Sequence, residues 1–488
     1  MSTPRPVLLL AETGLIIRNL LLGTFGRAVA AERPLLVAVS RPNDPRLRSV
    51  VQNLGDIELI EFPRRPRFLP DGQLGRMLAW ESYIPRFITT GKSDRTLDYM
   101  RRLADAGHSK LGGLYVGAVY GLGHIVRRSG LQPHLEAAYR RSISKYPITR
   151  EWTALLESYQ PAAVISTALS LAKLNSHSHD LPVVQAALDL DIPCGTLIQS
   201  WDNLTSKPAL FPPDLDRFWS WSEDMSAELL RLYPHLDPSK VVEVGSPQFD
   251  FHGSYRDGEL TSREDFCRDL GFDPARPLIL IGTGTPHRLP FEHLAVIDLV
   301  ERLGEAAPEC QCLIRLHPKD DGARWRELEA TVEAKGAKLQ YTMPAEHMDY
   351  GGFVPPKEFF REQATTLVHA AVVVNAASTL TVDSAILDRP SVCMGYDLEF
   401  DAVFPEGRAY AFTHSTHYEK LVETGGVKVV SSAEACVQAV LDRLADPSLE
   451  AEGRRRIIER VTDRVDGRAG HRLAAEVLAL ADGATTAP

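Results

Sequence analysis

The stretch that decides the fold is residues 6–62, PVLLLAETGLIIRNLLLGTFGRAVAAERPLLVAVSRPNDPRLRSVVQNLGDIELIEF. It contains three short runs rich in Val, Leu and Ile, and two longer segments separate them. Short apolar strands that alternate with helices are typical of a parallel sheet covered on both faces. The predicted strands are Pro6–Ala11, Pro34–Ser40 and Ile57–Phe62, and the predicted helices are Leu15–Ala31 and Arg46–Leu54. The predicted fold class is therefore α/β.

The same alternation returns twice after residue 150. Residues 70–150 themselves lack clear strands and are predicted to form a helical insertion. Between the two later series, the segment Phe251–Pro277 is the predicted linker, and Thr261 with Glu264 opens its one polar helix in a capping-box pattern. The first series of strands is Ala162–Ile165, Cys194–Gln199, Arg217–Ser222 and Val241–Val244, with a helix near 178–190. The second is Leu278–Gly282, Gln311–Leu316, Lys338–Gln340, Val372–Asn375 and Ser391–Met394, followed by a helix-rich stretch over about 432–482.

Length favours two domains, because a single hydrophobic core stops growing at roughly 250–300 residues and this chain has 488. We predict a Rossmann-like N-terminal domain over 1–255 with the insertion at about 70–150, a Rossmann-like C-terminal domain over 256–455, and a helical segment over 456–488. Ligands of such sheets bind at the carboxyl ends of the strands, so we expect the two domains to face each other across a cleft.

Composition excludes some classes of function. A net charge of -10 disfavours a nucleic-acid partner. The local basic cluster Arg64, Arg65 and Arg67 suits either a solvated surface or docking on an anionic lipid or glycan. Six cysteines without a CxxC pair predict no metal site and a reducing cytoplasm. The apolar residues 111–125 fall short of the ~18 that a membrane span needs, so we expect a cytoplasmic protein and leave peripheral contact with the inner face of the membrane open.

The strongest candidate site is the segment Val372–Pro390, VVVNAASTLTVDSAILDRP. An apolar strand runs into two alanines, and Ser378 and Thr379 then open a helix. Hydroxyls and backbone N–H groups at a helix start suit a phosphate, and Asp383 one turn on suits ribose hydroxyls. The alternative is an ordinary N-cap with a surface aspartate.

Two further strand ends of the C-terminal half carry phosphate-capable residues. In the run LIRLHP, Arg315 belongs to the strand, and His317 and Pro318 end it. In the run ILIGTGTPHR, a strand breaks into a glycine-threonine loop that lacks both the GxGxxG and the Walker A patterns. That loop comprises Gly282, Thr283, Gly284 and Thr285, and His287 and Arg288 follow it. An ordinary tight turn is the alternative.

The N-terminal half offers candidate substrate residues after two strands. In QSWDNLTSK these are Trp201, Asp202, Asn203 and Lys207. In LAETGLIIRN they are Arg18 and Asn19, preceded by Glu12, a carboxylate that suits a general base acting on an acceptor hydroxyl. The alternatives are Asx-turn chemistry around a Trp anchor and a Glu12–Arg18 pair. The aspartate pairs Asp189–Asp191 and Asp214–Asp216 are interpreted as structural, so no metal is expected.

The pattern of Ser378, Thr379, Asp383, Ala385, Leu387 and Pro390 resembles the donor motif of the CDP-glycerol glycerophosphotransferase group of GT-B glycosyltransferases. The pair His317-Pro318 resembles the His-Pro motif with which bacterial sialyl- and Kdo-transferases hold a CMP-sugar phosphate. The whole chain also resembles the wider superfamily that includes the UDP-GlcNAc 2-epimerases. The runs SWDNLTSK, FWSWSEDM and VEVGSPQFD are similar to other bacterial members.

The resemblance implies a GT-B fold, with an N-terminal acceptor domain and a C-terminal nucleotide-donor domain. It implies metal-independent, inverting transfer of a sugar from a CMP, CDP or UDP donor to a glycan, lipid-linked or protein acceptor, in bacterial polysaccharide or glycoconjugate biosynthesis. Glu12 would deprotonate the acceptor, with His287 as the second candidate base, and His317, Ser378 and Thr379 would hold the donor phosphate. The alternatives are a CDP-polyol phosphotransferase, a nucleotide-sugar 2-epimerase and a non-catalytic nucleotide-sugar binding protein.

Overall fold

The computed structural model describes residues 4–63, 102, 118, 121–122, 125–126, 128–167, 180–206, 211–255, 260–341 and 359–483. Its contacts divide the chain into two compact units. The first unit is Met1–Asp250 with Arg468–Pro488, and the second unit is Phe251–Gly467. Most of the predicted insertion, the basic cluster at 64–67 and most of 111–125 lie outside the described residues.

The first unit is built on a parallel sheet, as the opening segment predicts. Within the described residues it has seven strands in the order β3-β2-β1-β4-β5-β6-β7. The central strands are buried at every position, which is what continuous apolar runs produce when helices cover both faces. The strands are β1 Val7–Leu10, β2 Leu35–Val39, β3 Ile57–Glu61, β4 Ala163–Ser166, β5 Cys194–Leu197, β6 Arg217–Ser220 and β7 Val241–Glu243.

The first helical segment differs from the prediction of one continuous helix over Leu15–Ala31. The chain forms helices over Gly14–Ile16 and Thr24–Glu32, with a π-helical turn Ile17–Leu21 between them and a bend of 64°. This break favours glycine at position 23, the N-cap of the second helix, because a Cβ there would lie 2.8 Å from the carbonyl oxygen of Asn19. The periodic spacing of apolar residues predicts a helix here, but it contains no information on this backbone contact.

Other helices of the first unit are Pro45–Val51, Gln132–Ile143, Pro147–Tyr159, Asp180–Asp189, Asn203–Ser206, Glu223–Leu232 and Ala469–Ala481, with 3-10 turns at Pro238–Lys240 and Pro247–Phe249. The C-terminal helix Ala469–Ala481 belongs here because Asp250 holds its start. The carboxylate of Asp250 accepts hydrogen bonds from the backbone N–H groups of Ala469 (2.9 Å) and Gly470 (2.7 Å) and from the Thr24 hydroxyl (2.7 Å).

The second unit repeats the architecture. Its described residues form a six-stranded parallel sheet in the order β10-β9-β8-β11-β12-β13. The strands are β8 Leu278–Gly282, β9 Gln311–Arg315, β10 Ala337–Gln340, β11 Val372–Asn375, β12 Ser391–Met394 and β13 Lys428–Val430. The short edge strand β13 was not among the predicted strands, because its exposed Lys428 and three-residue length leave little apolar signal.

Alternation along β8 shows how this sheet is covered. Ile279 and Ile281 pack with the helices Glu292–Ala306 and Ala433–Ala445, while Leu278 and Leu280 pack with residues of two other helices on the opposite face. The remaining helices are Asp250–Tyr255, within which the division between units falls, Arg263–Leu270, Ala323–Arg326, Glu329–Ala334, Phe359–His369, Leu380–Ile386, Arg408–Thr413, Thr416–Val422 and Ala451–Thr462.

Two smaller findings complete the fold. The N-cap of the helix Arg263–Leu270 is Ser262, whose hydroxyl accepts from the N–H of Asp265 at 3.1 Å, so the predicted cap at Thr261 is wrong by one residue. Among the described residues, no helix alone is long and apolar enough to cross a membrane, and only the bent pair Gly14–Leu21 and Thr24–Glu32 reaches that criterion together.

Candidate functional site

The carboxyl ends of β8 and β9 bring two predicted loops side by side in the second unit. The last residues of these strands, Gly282 and Arg315, are register partners. Beyond them, the N–H of Thr283 donates to the carbonyl oxygen of Arg315, and the hydroxyl of Thr283 accepts from the N–H of His317, both at 3.0 Å. The glycine-threonine loop and the His-Pro segment are therefore held together by Thr283, which is buried.

Positive charge concentrates around this pair of loops. The side chains of Arg288, Lys319 and Arg408 all lie close enough to His287 that, after loss of hydration, their charges lower its pKa. The guanidinium carbon of Arg288 also lies 5.2 Å from the centre of the Phe412 ring, a cation–π contact that holds the side chain over this region. The edge is thus a cationic surface suited to an anion.

His317 is a neutral hydrogen-bond donor at this edge. Burial, followed by the charge of Lys319 and the nearby His287, lowers the pKa of His317 to about 3. Its Nδ1 accepts from the backbone N–H of Lys319 at 3.0 Å, so the ring proton of the neutral form resides on Nε2. A neutral imidazole with a fixed Nε2–H can donate to a phosphate oxygen without changing its own charge.

A buried carboxylate, Glu292, supports the loop from behind and was not among the predicted site residues. It is the first residue of the helix Glu292–Ala306, and its two carboxylate oxygens accept from the N–H of Gly284 at 3.0 and 2.8 Å. Burial raises the pKa of Glu292 to about 7, against the opposing effects of Arg324 and this hydrogen bond. The N–H of Gly284 therefore donates to Glu292, so it is not available to bind phosphate as the sequence predicted.

Arg324 braces the same loop and was also missed. Its guanidinium donates to the carbonyl oxygen of Leu289 at 2.8 Å, pairs with Asp320 at 2.8 Å and lies 3.6 Å from Glu292. Asp320 also accepts from the indole N–H of Trp325 at 3.1 Å. The available signal was the spacing of four between Asp320 and Arg324, which alone does not distinguish a brace from a surface pair, and Asp320 in fact lies before the helix Ala323–Arg326.

The turn after β11 places Ser378 and Thr379 at the start of the helix Leu380–Ile386. Ala377 takes a positive φ of 44° there, which is uncommon for a residue with a Cβ. The hydroxyl of Ser378 accepts from the N–H of Leu380 at 3.2 Å, and both predicted hydroxyl residues are half-buried. Leu380 fills the space beside Gly282, where a Cβ would come within 2.3 Å of its Cδ2, so a larger residue at position 282 would require the Leu380 side chain to shift.

Asp383 lies deeper than a surface acid. It is buried, and its Oδ1 is 2.7 Å from Nε2 of His252 and 3.3 Å from the Gln363 amide nitrogen. The alternative of a surface aspartate does not describe it. The role of Asp383 in binding ribose stays a prediction. The carbonyl oxygen of Thr285 accepts from the N–H of Arg288 at 2.9 Å, and Pro318 is half-buried. The roles of these two residues in donor binding also stay predictions.

The predicted residues of the first unit lie after β1 and β5. Glu12 and Arg18 are half-buried, and Arg18 donates to Asn19 Oδ1 at 2.7 Å, while Asn19 donates to Gln248 Oε1 at 3.2 Å. Their roles as base and substrate contacts remain predictions.

In the loop after β5, Oδ1 of Asp202 accepts from the Ser200 hydroxyl at 2.5 Å. Trp201 and Asn203 are buried, and Lys207 lies outside the described residues. Among the residues that the structure describes, no three His, Cys, Asp or Glu side chains are grouped to hold a metal ion.

Solved structures with this architecture are numerous. A Listeria monocytogenes protein assigned as a UDP-N-acetylglucosamine 2-epimerase is 11% identical, with coverage of 100% of this chain and 99% of that one and a TM-score of 0.54. The S. aureus protein MnaA in complex with UDP is 11% identical, with coverage of 99% of both chains and a TM-score of 0.53. The UDP-GlcNAc 2-epimerase from Neisseria meningitidis bound to UDP-GlcNAc is 12% identical, with coverage of 97% and 98% and a TM-score of 0.52.

The chain has the GT-B type of α/β fold. This confirms the fold that the donor motif implied, and the likeness at such low identity establishes the fold alone. The sequence matches no family model and no curated relative. The function of this GT-B chain therefore has to be argued from its own residues.

Proposed function

We propose that this chain is a glycosyltransferase that takes a nucleotide sugar as donor and binds the donor diphosphate at the carboxyl ends of β8 and β9. The observation that carries the proposal is the cationic edge formed by Arg288 and Lys319 around the neutral donor His317. A leaving diphosphate is stabilised by fixed positive charges and N–H donors placed where its charge develops. Arg288 and Lys319 can supply that charge, so we propose metal-independent chemistry.

The other roles follow the residues at the same edge. Ser378 and Thr379 would donate hydroxyl hydrogen bonds to the phosphate oxygens, since both are half-exposed at the end of β11. Glu292, through Gly284, would hold the glycine-threonine loop in place. In the first unit, Glu12 would act as the general base towards a glycan, lipid-linked or protein acceptor, with His287 as the second candidate.

A ligand screen tests the donor site. Thermal unfolding would be followed with CMP, CDP, UDP, GDP and dTDP, with and without EDTA, because a nucleotide at 100 times its Kd stabilises the folded state by about 2.7 kcal/mol. We expect a shift with a cytidine or uridine nucleotide that EDTA does not change. Lys319→Ala should reduce the shift, and Lys428→Ala, at the exposed amino end of β13, is the matched control that should retain it in full. A shift that survives Lys319→Ala and Arg288→Ala would remove the site from this edge.

A nucleotide-sugar 2-epimerase is the second candidate. Two observations favour it: the structures reported above carry UDP-GlcNAc 2-epimerase names or UDP, and Glu292 is a buried acid with a pKa raised to about 7 beside the loop. The two functions separate in one reaction without acceptor. An epimerase converts UDP-GlcNAc to the 2-epimer alone, which NMR of the anomeric protons detects. A transferase leaves the donor intact until an acceptor is added.

A further inference from the structure

The turn after β11 holds one residue in a backbone conformation that its side chain disfavours. Ala377 has a positive φ of 44°, where the Cβ of an L-residue is crowded by the backbone. Such strain persists only where the surrounding structure holds it, and it is concentrated at functional sites. This turn leads directly to Ser378 and Thr379, the hydroxyl residues of the proposed donor site. What holds the turn therefore bears on the site.

Two successive backbone N–H groups tie the turn to the ends of neighbouring strands. The N–H of Ala377 donates to Sγ of Cys393 at 3.1 Å, and the N–H of Ser378 donates to Oδ1 of Asn375 at 3.2 Å. Asn375 ends β11, and its register partners are Cys393 on β12 and Gly282 on β8. Both acceptor residues are buried. The turn is thus fixed from two strands, and its own strand lies beside the one that leads into the glycine-threonine loop.

A chain of buried hydrogen bonds connects these two acceptors to each other. The Thr381 hydroxyl donates to Oδ1 of Asn375 at 3.2 Å, so it accepts from the Tyr418 hydroxyl, which lies 2.9 Å away. The Tyr418 hydroxyl also hydrogen-bonds the thiol of Cys393 and, since its own proton goes to Thr381, it accepts there. Burial raises the pKa of Cys393 to about 11, so the thiol keeps the proton that it donates. The two anchors of the turn are therefore coupled through Tyr418.

The network contains more polar groups than packing of the sheet requires. Because an N–H can only donate, the oxygen of Asn375 is the atom that faces Ser378. Its Nδ2 is then left buried, and it makes no hydrogen bond within the part of the chain that the structure describes. An unpaired buried donor costs free energy, which an apolar residue of similar size would avoid. A strained residue and an unpaired donor at one turn are local violations of the kind found at functional positions.

We propose that Asn375, Cys393 and Tyr418 are positioning residues of the donor site. Their hydrogen bonds keep Ala377 in the left-handed conformation, which places the two hydroxyl residues that follow it for the donor phosphate. This inference rests on the proposed function, because the donor phosphate is the ligand that the turn serves. Such a network acts through the population of the binding-competent turn, and the apparent Kd rises as that population falls. Glycine at position 377 would adopt a positive φ without the strain and would need the network less.

Titration calorimetry on the full chain tests the proposal, with UDP, CDP and CMP as the probes. Tyr418→Phe removes the hydroxyl that couples the two anchors, and should raise the Kd about three- to tenfold. Adding Ala377→Gly to this variant should bring the Kd back to within about twofold of the unmodified protein. Loss of a merely stabilising hydrogen bond would not be rescued in this way. Tyr396→Phe is the matched control, since Tyr396 is a buried tyrosine of the same unit that lies against the helix Ala433–Ala445, and it should leave the Kd unchanged.

The remaining outcomes separate this inference from the proposed function. An unchanged Kd for folded Tyr418→Phe, with Lys319→Ala still weakening the binding, would overturn the positioning role and leave the donor site standing. A raised Kd that Ala377→Gly does not restore would also overturn the positioning role. If Tyr418→Phe fails to fold, Cys393→Ala removes the acceptor of the Ala377 N–H, and the same loss and the same rescue are expected. If the unmodified chain binds none of the nucleotides, the donor-site proposal is refuted and this inference with it.

Discussion

The buried carboxylate behind the glycine-threonine loop leads to a stability prediction with a definite sign. Glu292 has a folded-state pKa of about 7, against an ordinary value of 4.5. Between these two values the unfolded chain releases the proton while the folded chain keeps it. The unfolded state then binds fewer protons, so the free energy of unfolding falls as pH rises through this window and levels off above the folded-state pKa.

The magnitude follows from the two pKa values. The full difference of about 2.5 pKa units corresponds to about 3 kcal/mol, and about 2 kcal/mol of it develops between about pH 5.5 and about pH 8. Glutamine has the shape of protonated glutamate, and its carbonyl oxygen can still accept from the N–H of Gly284. The variant Glu292→Gln should therefore lose this component, and its stability relative to the unmodified protein should rise by about 2 kcal/mol from the lower to the higher pH.

Urea unfolding at a series of pH values, followed by tryptophan fluorescence and by circular dichroism, measures this difference. Glu305→Gln is the matched control, since Glu305 is exposed on the same helix, Glu292–Ala306. A relative stability of Glu292→Gln that stays constant over this pH range, or that falls as pH rises, would refute the reasoning. It would mean that Glu292 ionises in the folded state near its ordinary pKa.

Three further predictions concern the proposed donor site and the stability of the fold. His317 is neutral above about pH 4, whereas Lys319 carries charge. Lys319→Ala should therefore weaken nucleotide binding and flatten its dependence on salt, whereas His317→Gln should weaken binding and leave the salt dependence unchanged. Titration calorimetry at several salt concentrations checks both expectations. Gly282→Ala should lower the free energy of unfolding by about 1–3 kcal/mol, because the new Cβ would collide with Leu380. Urea unfolding measures this change, and an unchanged free energy of unfolding would contradict the prediction. Thr167→Val should raise the free energy of unfolding by about 1 kcal/mol, and a loss of stability would show that the hydroxyl has a partner in the folded chain.

The positions of the strands could be predicted from the sequence because each strand is a continuous apolar run. The predicted strands that the structure describes are found within one or two residues at their ends, from β1 at Val7–Leu10 to β12 at Ser391–Met394. Backbone contacts could not be predicted from the periodic spacing of apolar residues. The break after Leu21 depends on how closely Gly23 approaches the Asn19 carbonyl, and no local pattern records that distance.

The candidate site could be predicted only in part, for a similar reason. Residues that directly follow a strand, such as His317 and Thr283, were found because a parallel sheet brings the carboxyl ends of its strands to one edge. Glu292 was given no role among the predicted site residues, because it reaches Gly284 across a loop of seven residues, and an acid in the first turn of a helix is common without any such contact.

The cationic edge and its neutral donor contribute to anion binding in different ways. Arg288 and Lys319 supply charge, which salt screens, whereas the Nε2–H of His317 supplies a directed hydrogen bond that salt affects little. If the proposed donor site is correct, the salt dependence of nucleotide binding should follow the two cations alone. A salt dependence that disappeared on His317→Gln would instead indicate that the imidazole binds the nucleotide in its charged form.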